Sequence, residues 1–171
     1  MKKALLLSLV ALTGIVLGRG KLPNEFEITS YDRDFYEILK EPVTVDTARP
    51  SIWPVVGVIT SDFGWRWRGR DYHSGIDIAA PYGSEVVATA PGYVLFAGWL
   101  RGYGYTVILY HGFGYSTLYA HMASVSVRTG EEVSRGRVVG YVGTSGRTTG
   151  PHLHYEVIKY GIRQNPILYL P

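Results

Sequence analysis

From Arg49 to the C-terminus the chain is a succession of short apolar runs cut by glycine, with no helical block between them. The runs at residues 55–60, 75–79, 85–90, 92–99, 106–110, 115–120, 125–127, 138–142 and 152–159 are rich in β-branched and aromatic residues. Such residues fit a pleated, half-buried surface better than a helix. Pro91-Gly92 marks a turn, and Gly102, Gly104, Gly112, Gly114, Gly143, Gly146 and Gly150 separate other runs. Short strands at this spacing predict an all-β fold, an antiparallel sandwich or barrel-like domain, over residues 51–171.

The N-terminal part is of a different kind. Lys2 and Lys3 precede an apolar run over residues 4–17, which suits an export signal and is short for a bilayer span of about 20 residues. Gly18 and Gly20 are the small residues at which cleavage before Lys21 would occur; left uncleaved, residues 1–20 form a membrane anchor. Either way the rest of the chain is expected outside the cytoplasm, touching membrane only through that segment. Residues 21–50 read as a linker or strap. Ser30 would cap a short helix to about Lys40, with Asp32 and Asp34 in its first turn and Pro42 beyond its end. This segment is acidic, with three basic and seven acidic residues over 21–48, whereas residues 49–171 carry eleven basic and seven acidic. A restraining cover over the basic domain is the sharper alternative to a plain strap. The basic residues form no stripe interleaved with aromatics, so nucleic acid is not an expected partner. Absence of cysteine excludes disulfides, Cys-ligated zinc and a Cys nucleophile.

Within the β region, Pro151-His152-Leu153-His154-Tyr155-Glu156-Val157 concentrates the chemistry. Side chains at i and i+2 of a strand share a face, so His152, His154 and Glu156 project together, while Leu153, Tyr155 and Val157 point into a core. Two imidazoles do not hold a metal alone. Asp71-Tyr72-His73-Ser74-Gly75-Ile76-Asp77-Ile78 supplies the remainder. If this stretch is extended, residues 73, 75 and 77 share one face and Gly75 leaves space for an ion. Two nitrogens and one carboxylate suit catalytic zinc, which keeps an open position for water, better than magnesium or calcium; a non-haem iron triad has the same ligand types. Water activated by zinc needs a base for its proton and a donor for the developing oxyanion. His121, at the end of a strand, and whichever of His152 and His154 is not a ligand are the candidates. His111 reads as structural. Glu156 either orients an imidazole or pairs with an arginine.

The stretches Ile59-Thr60-Ser61-Asp62-Phe63-Gly64-Trp65-Arg66, His73-Ser74-Gly75-Ile76-Asp77-Ile78, Thr117-Leu118-Tyr119-Ala120-His121-Met122 and residues 143–156 together resemble the lysostaphin-type zinc metallopeptidases. The resemblance covers roughly residues 51–165 and implies antiparallel β structure with zinc at the floor of a long groove. It assigns one zinc ion to His73, Asp77 and His154, and the catalytic work to His121 and His152. It implies hydrolysis of peptide bonds in the stems or cross-bridges of bacterial peptidoglycan. His152, beside a ligand on the same strand, is the expected base. Tyr72, Tyr103, Tyr105 and Tyr115 are expected on the groove rim, where they would stack on an extended peptide.

Two other functions belong beside this one. Some proteins of this type have lost ligands and activate other wall hydrolases, with a cell-envelope protein as partner; the five key positions are intact here. A phosphocarrier-like domain would need one reactive histidine and a cytoplasmic location, which Asp77 and the N-terminal segment argue against.

Overall fold

A computed structural model describes residues 44–66 and 71–171. The export segment and the helix expected near residues 30–40 lie outside the described residues. A single helical turn, α1 (Val45–Ala48), opens the described chain. Thr44 caps it by accepting from the Thr47 N–H, which answers one of the donors every helix start leaves open.

Strands then follow one another: β1 (Val58–Ser61), β2 (Gly64–Arg66), β3 (Asp71–His73), β4 (Ile76–Ala79), β5 (Glu85–Val87), β6 (Gly92–Leu100), β7 (Gly104–Gly112), β8 (Tyr115–Val125), β9 (Glu132–Val133), β10 (Val138–Val142), β11 (His152–Lys159) and β12 (Ile162–Gln164). A 3₁₀ turn at Pro166–Tyr169 ends the chain. Among the described residues every pairing is antiparallel. The expected all-β antiparallel fold is what the chain adopts.

Ten strands form one sheet in the order β1-β4-β11-β8-β7-β6-β9, with β10 joining β8 to β5 and β12 flanking β11. The branch lies in β8. Its first half pairs with β11 as far as Ala120, and its second half, from Met122, pairs with β10. Each arm contributes to the apolar core. Ile76 and Ile78 come from β4, Val107 and Leu109 from β7, Val139 and Val142 from β10, and Leu153, Tyr155 and Val157 from β11. Fully burying one such side chain contributes about 1.5–3 kcal/mol. β2 and β3 make a separate two-stranded ribbon beside this sheet.

Several boundaries differ from expectation. Of the strand expected at 125–127 only Val125 is in a strand, as the last residue of β8, which crosses from one pairing partner to the next. β2, β3, β9 and β12 have two or three residues each, too few for an alternating pattern to show. The stretch from His73 to Asp77 is not one extended segment. Ser74 and Gly75 bend between β3 and β4, so the two residues come from different sheets. Nor does Gly75 leave room for an ion: a Cβ there would lie 2.2 Å from the Tyr155 carbonyl oxygen. It is glycine because β11 packs against its backbone.

Candidate metal centre and groove

β11 runs between β4 and β8, and its alternation divides the chemistry from the core. Leu153, Tyr155 and Val157 enter the main core, while His152, His154 and Glu156 face the other way, as the pattern predicts. Asp77 is directly opposite His154 on β4. Opposed residues of neighbouring strands present their side chains on one face a few ångströms apart. The His154 Nδ1 accordingly lies 2.8 Å from Asp77 Oδ1. His73 reaches the same point from the end of β3, its Nε2 3.1 Å from Asp77 Oδ1 and 3.0 Å from His154 Nδ1.

His121 arrives from β8 by a local distortion. Its φ is 61°, in the left-handed region that costs a non-glycine residue about 1–2 kcal/mol. The Tyr103 carbonyl holds its N–H at 2.8 Å, and its ring stands 5.0 Å from that of His152 and 5.8 Å from that of His154. Outliers of this kind persist where the surroundings over-determine them.

Each of the four rings is held from behind. His73 Nδ1 donates to the Asp62 carbonyl, His121 Nδ1 to Ser145 and His152 Nδ1 to Gly150, at 2.8, 2.9 and 2.8 Å. His154 donates through Nε2 to Glu156 Oε1 at 3.1 Å. A neutral imidazole with one N–H committed presents a lone pair at its other nitrogen. With both rings neutral, His73 Nε2, His154 Nδ1 and Asp77 Oδ1 are three acceptors facing one another, a place that either a proton or a cation can fill. Such a trio suits a cation, and a His₂Asp set with an open side suits zinc. His121 and His152 keep their Nε2 lone pairs on the same face, that of His152 3.8 Å from Asp77 Oδ1.

Electrostatics follow the packing. Burial disfavours the Asp77 carboxylate, but hydrogen bonds and charge from His154 and His73 outweigh it and pull its pKa well below the usual range. Burial likewise opposes charge on His154, yet Asp77 and Glu156 raise it to about 8. Burial lowers His121 to about 4, keeping that ring neutral at pH 7.

Glu156 is fully buried and does both things expected of it. Oε1 accepts from His154 and from the Tyr103 hydroxyl at 2.9 Å, and also from Ser74; Oε2 accepts from Arg163 Nε at 2.9 Å. These partners hold its pKa down to about 2 despite burial. Ser74, Arg163 and Ser145 carry roles that the sequence did not reveal. Ser145 fastens the β10–β11 loop, its Oγ donating to the Met122 carbonyl at 2.6 Å and accepting from Tyr105 N at 2.8 Å, while its carbonyl orients His121. Its place between Gly143 and Gly146 was the available signal.

A cavity of about 640 Å³ opens over this face, with Arg66, Asp71, Tyr103 and Arg147 among its lining. Of the four tyrosines expected on the rim, Tyr103 lines it. Tyr72 instead packs on Phe63 and Trp65, and Tyr105 on Trp99. Tyr115 is 5% exposed and lies against Tyr169.

Two histidines and one carboxylate beside an open cleft are a donor set that could hold a metal ion such as zinc. The sequence profile of peptidase family M23 matches residues 71–166, more than half of the chain, and the chain belongs to that family, which is the lysostaphin-type family its motifs resemble. The DD-carboxypeptidase/endopeptidase Mpg of Neisseria meningitidis serogroup B is 46% identical over 116 residues, 64% of this chain and 26% of Mpg. The murein hydrolase activator NlpD of Escherichia coli K12 is 39% identical over 120 residues, 70% of this chain and 31% of NlpD. The chain thus spans about a quarter to a third of the length of these relatives. A zinc containing peptidase from Vibrio cholerae superposes with a TM-score of 0.64 at 32% identity, covering 68% of this chain and 39% of that one.

Proposed function

We propose that this chain is a zinc-dependent endopeptidase of the bacterial cell envelope, hydrolysing peptide bonds in peptidoglycan stems or cross-bridges outside the cytoplasm. The observation that carries the reading is the orientation of the four histidines. Every ring is held at its rear N–H, and every front nitrogen faces Asp77 or the cavity beside it.

His73, Asp77 and His154 would hold the zinc ion. Bound there, it would supply Lewis acidity to the scissile carbonyl and to a water molecule. His152 Nε2 accepts a proton from the attacking water, and the Gly150 carbonyl behind it stabilises the imidazolium that results. The His152 imidazolium then passes that proton to the leaving amine. His121, across from His152 on β8, would stabilise the oxyanion in the protonated form that the developing negative charge favours. Tyr103 and Glu156 keep the His154 ring from turning. The cavity over this face takes the substrate peptide.

A second reading is favoured by the similarity to NlpD, whose name is that of a murein hydrolase activator. In that role the chain would bind the wall or a partner hydrolase and cleave nothing. An activator has no need of three metal donors with two further histidines turned to the same cleft, so hydrolysis is preferred. The test is mass spectrometry of fragments released from purified sacculi, with zinc and with chelator. Zinc-dependent release of defined peptides supports the peptidase; binding to sacculi without release supports the activator.

A further inference from the structure

The cavity lining has a charge pattern of its own. Among the described residues its two cationic side chains are Arg66 and Arg147, and its two carboxylates are Asp71 and Asp77. Arg66 is committed, donating to Ser61 Oγ at 2.7 Å and paired with Asp71. Asp77 is committed to the histidines. Arg147 is left. The arginine ion pairs among the described residues use Arg66, Arg137 and Arg163, and Arg147 is exposed.

Its backbone, by contrast, is fixed. Arg147 N donates to the Gly102 carbonyl at 2.9 Å. Gly146 before it has φ 75° and packs so closely on Gly104 that a Cβ would meet its nitrogen at 2.5 Å. The loop is therefore held by its backbone and by Ser145, and the Arg147 guanidinium takes no part in holding it. A long cationic side chain on an anchored loop, facing a cleft and free of a protein partner, is disposed to bind an anion. Guanidinium matches a carboxylate with two parallel N–H···O bonds. Arg147 and His152 line the same cavity, so a carboxylate bound by the guanidinium would share the cleft with the bond attacked. Thr148 and Thr149, the next lining residues, add neutral groups and no competing charge.

We propose that Arg147 is a specificity-determining residue that binds a free carboxylate of the substrate next to the scissile bond. The substrate class is then an acidic peptide, such as a stem cross-link in which a diamino acid carries a free carboxyl group. A neutral glycine bridge is disfavoured. This rests on reading the groove as a peptidase site, and it adds which peptide the groove selects.

The test uses two synthetic cross-linked peptides that differ only in a carboxylate or a carboxamide on the residue after the scissile bond. Rates are measured for the zinc-loaded protein and for R147A and R147K, with zinc content and melting temperature confirming an intact fold. Wild type is expected to prefer the carboxylate by about tenfold in kcat/KM, the size of one charge-assisted contact at a partly exposed site. R147A brings the ratio close to one. R147K falls between, because an ammonium supplies charge without the fork. A wild type that does not discriminate, or an R147A variant that keeps the preference, overturns the proposal. Calorimetric titration with the same two peptides separates it from the peptidase reading. If neither peptide is cleaved, that reading fails, and the ratio of affinities in wild type and R147A still decides the role of Arg147. If neither binds, the proposal fails as well.

Discussion

His154 and Asp77 form a directly opposed cross-strand pair, and the ring nitrogen that meets the carboxylate is the one not engaged by Glu156 behind it. The strand register brings the two groups together, and the buried glutamate decides which nitrogen arrives. The geometry of the cluster is thus set by two layers, the His73, Asp77 and His154 atoms in front and hydrogen-bond acceptors behind.

Asp77→Asn removes one charge and keeps the shape. Zinc measured by mass spectrometry should fall from about one per chain to almost none after dialysis, and wall digestion should vanish with it. Retention of one zinc ion and full digestion would rule out this donor set. His154→Ala should behave in the same way.

Glu156→Gln tests the rear layer alone. The amide can still accept from His154, but it loses the charge that favours the His154 N–H and that balances Arg163. Loss of such a partner typically weakens metal affinity 10–100-fold. Zinc competition with a chromogenic chelator should show a drop in that range, with activity recovered at high zinc. An unchanged affinity would reduce Glu156 to a purely structural ion pair.

Which parts of this site the sequence disclosed follows from the distance over which each is determined. β11 is legible because its alternation persists over the whole strand and its histidines are rare residues. Opposition to Asp77 was reachable in kind, since both segments read as strands. The local path from His73 to Asp77 was not legible: a bend of two residues leaves no periodic trace, and the tight contact of Gly75 depends on Tyr155 far along the chain. Tyr115 resembled a rim residue by type, yet its pairing with Lys159 and its packing on Tyr169 bury it. Ser145 escaped notice because all its partners, Met122, Tyr105 and His121, come from other strands.

His121 lies in the left-handed region, so its replacements separate strain from function. His121→Ala and His121→Gly should both lose hydrolysis, since neither restores the imidazole. The glycine variant should nevertheless be more stable than the alanine variant by about 1 kcal/mol, because only glycine occupies this φ without steric cost. Denaturant melts of the two proteins check this. Equal stabilities would mean that β8 relaxes to an ordinary strand conformation once the ring is removed.

His111 gives a pH dependence that owes nothing to the metal. Its ring is fully buried, Nδ1 donating to the Pro91 carbonyl at 2.8 Å and Nε2 lying 2.8 Å from Thr117 Oγ1. Burial depresses its pKa from 6.5 to about 4. Between those values the unfolded chain binds a proton that the folded chain refuses. The stability conferred by the neutral ring is therefore complete above pH 6.5, declines as pH falls, and is lost by about pH 4. At about 1.4 kcal/mol per unit the loss amounts to about 3 kcal/mol across the window. Other groups titrate in the same range, so the quantity to measure is a difference. Unfolding free energies of wild type and His111→Asn, taken in guanidinium at pH 7.5, 5.5 and 4.5, should converge by about 2–3 kcal/mol as the pH is lowered. Asparagine carries no titrating ring, so its stability lacks this contribution at every pH. Parallel curves with a constant offset would show that the folded and unfolded rings take up a proton with equal ease, and burial would then not depress the His111 pKa.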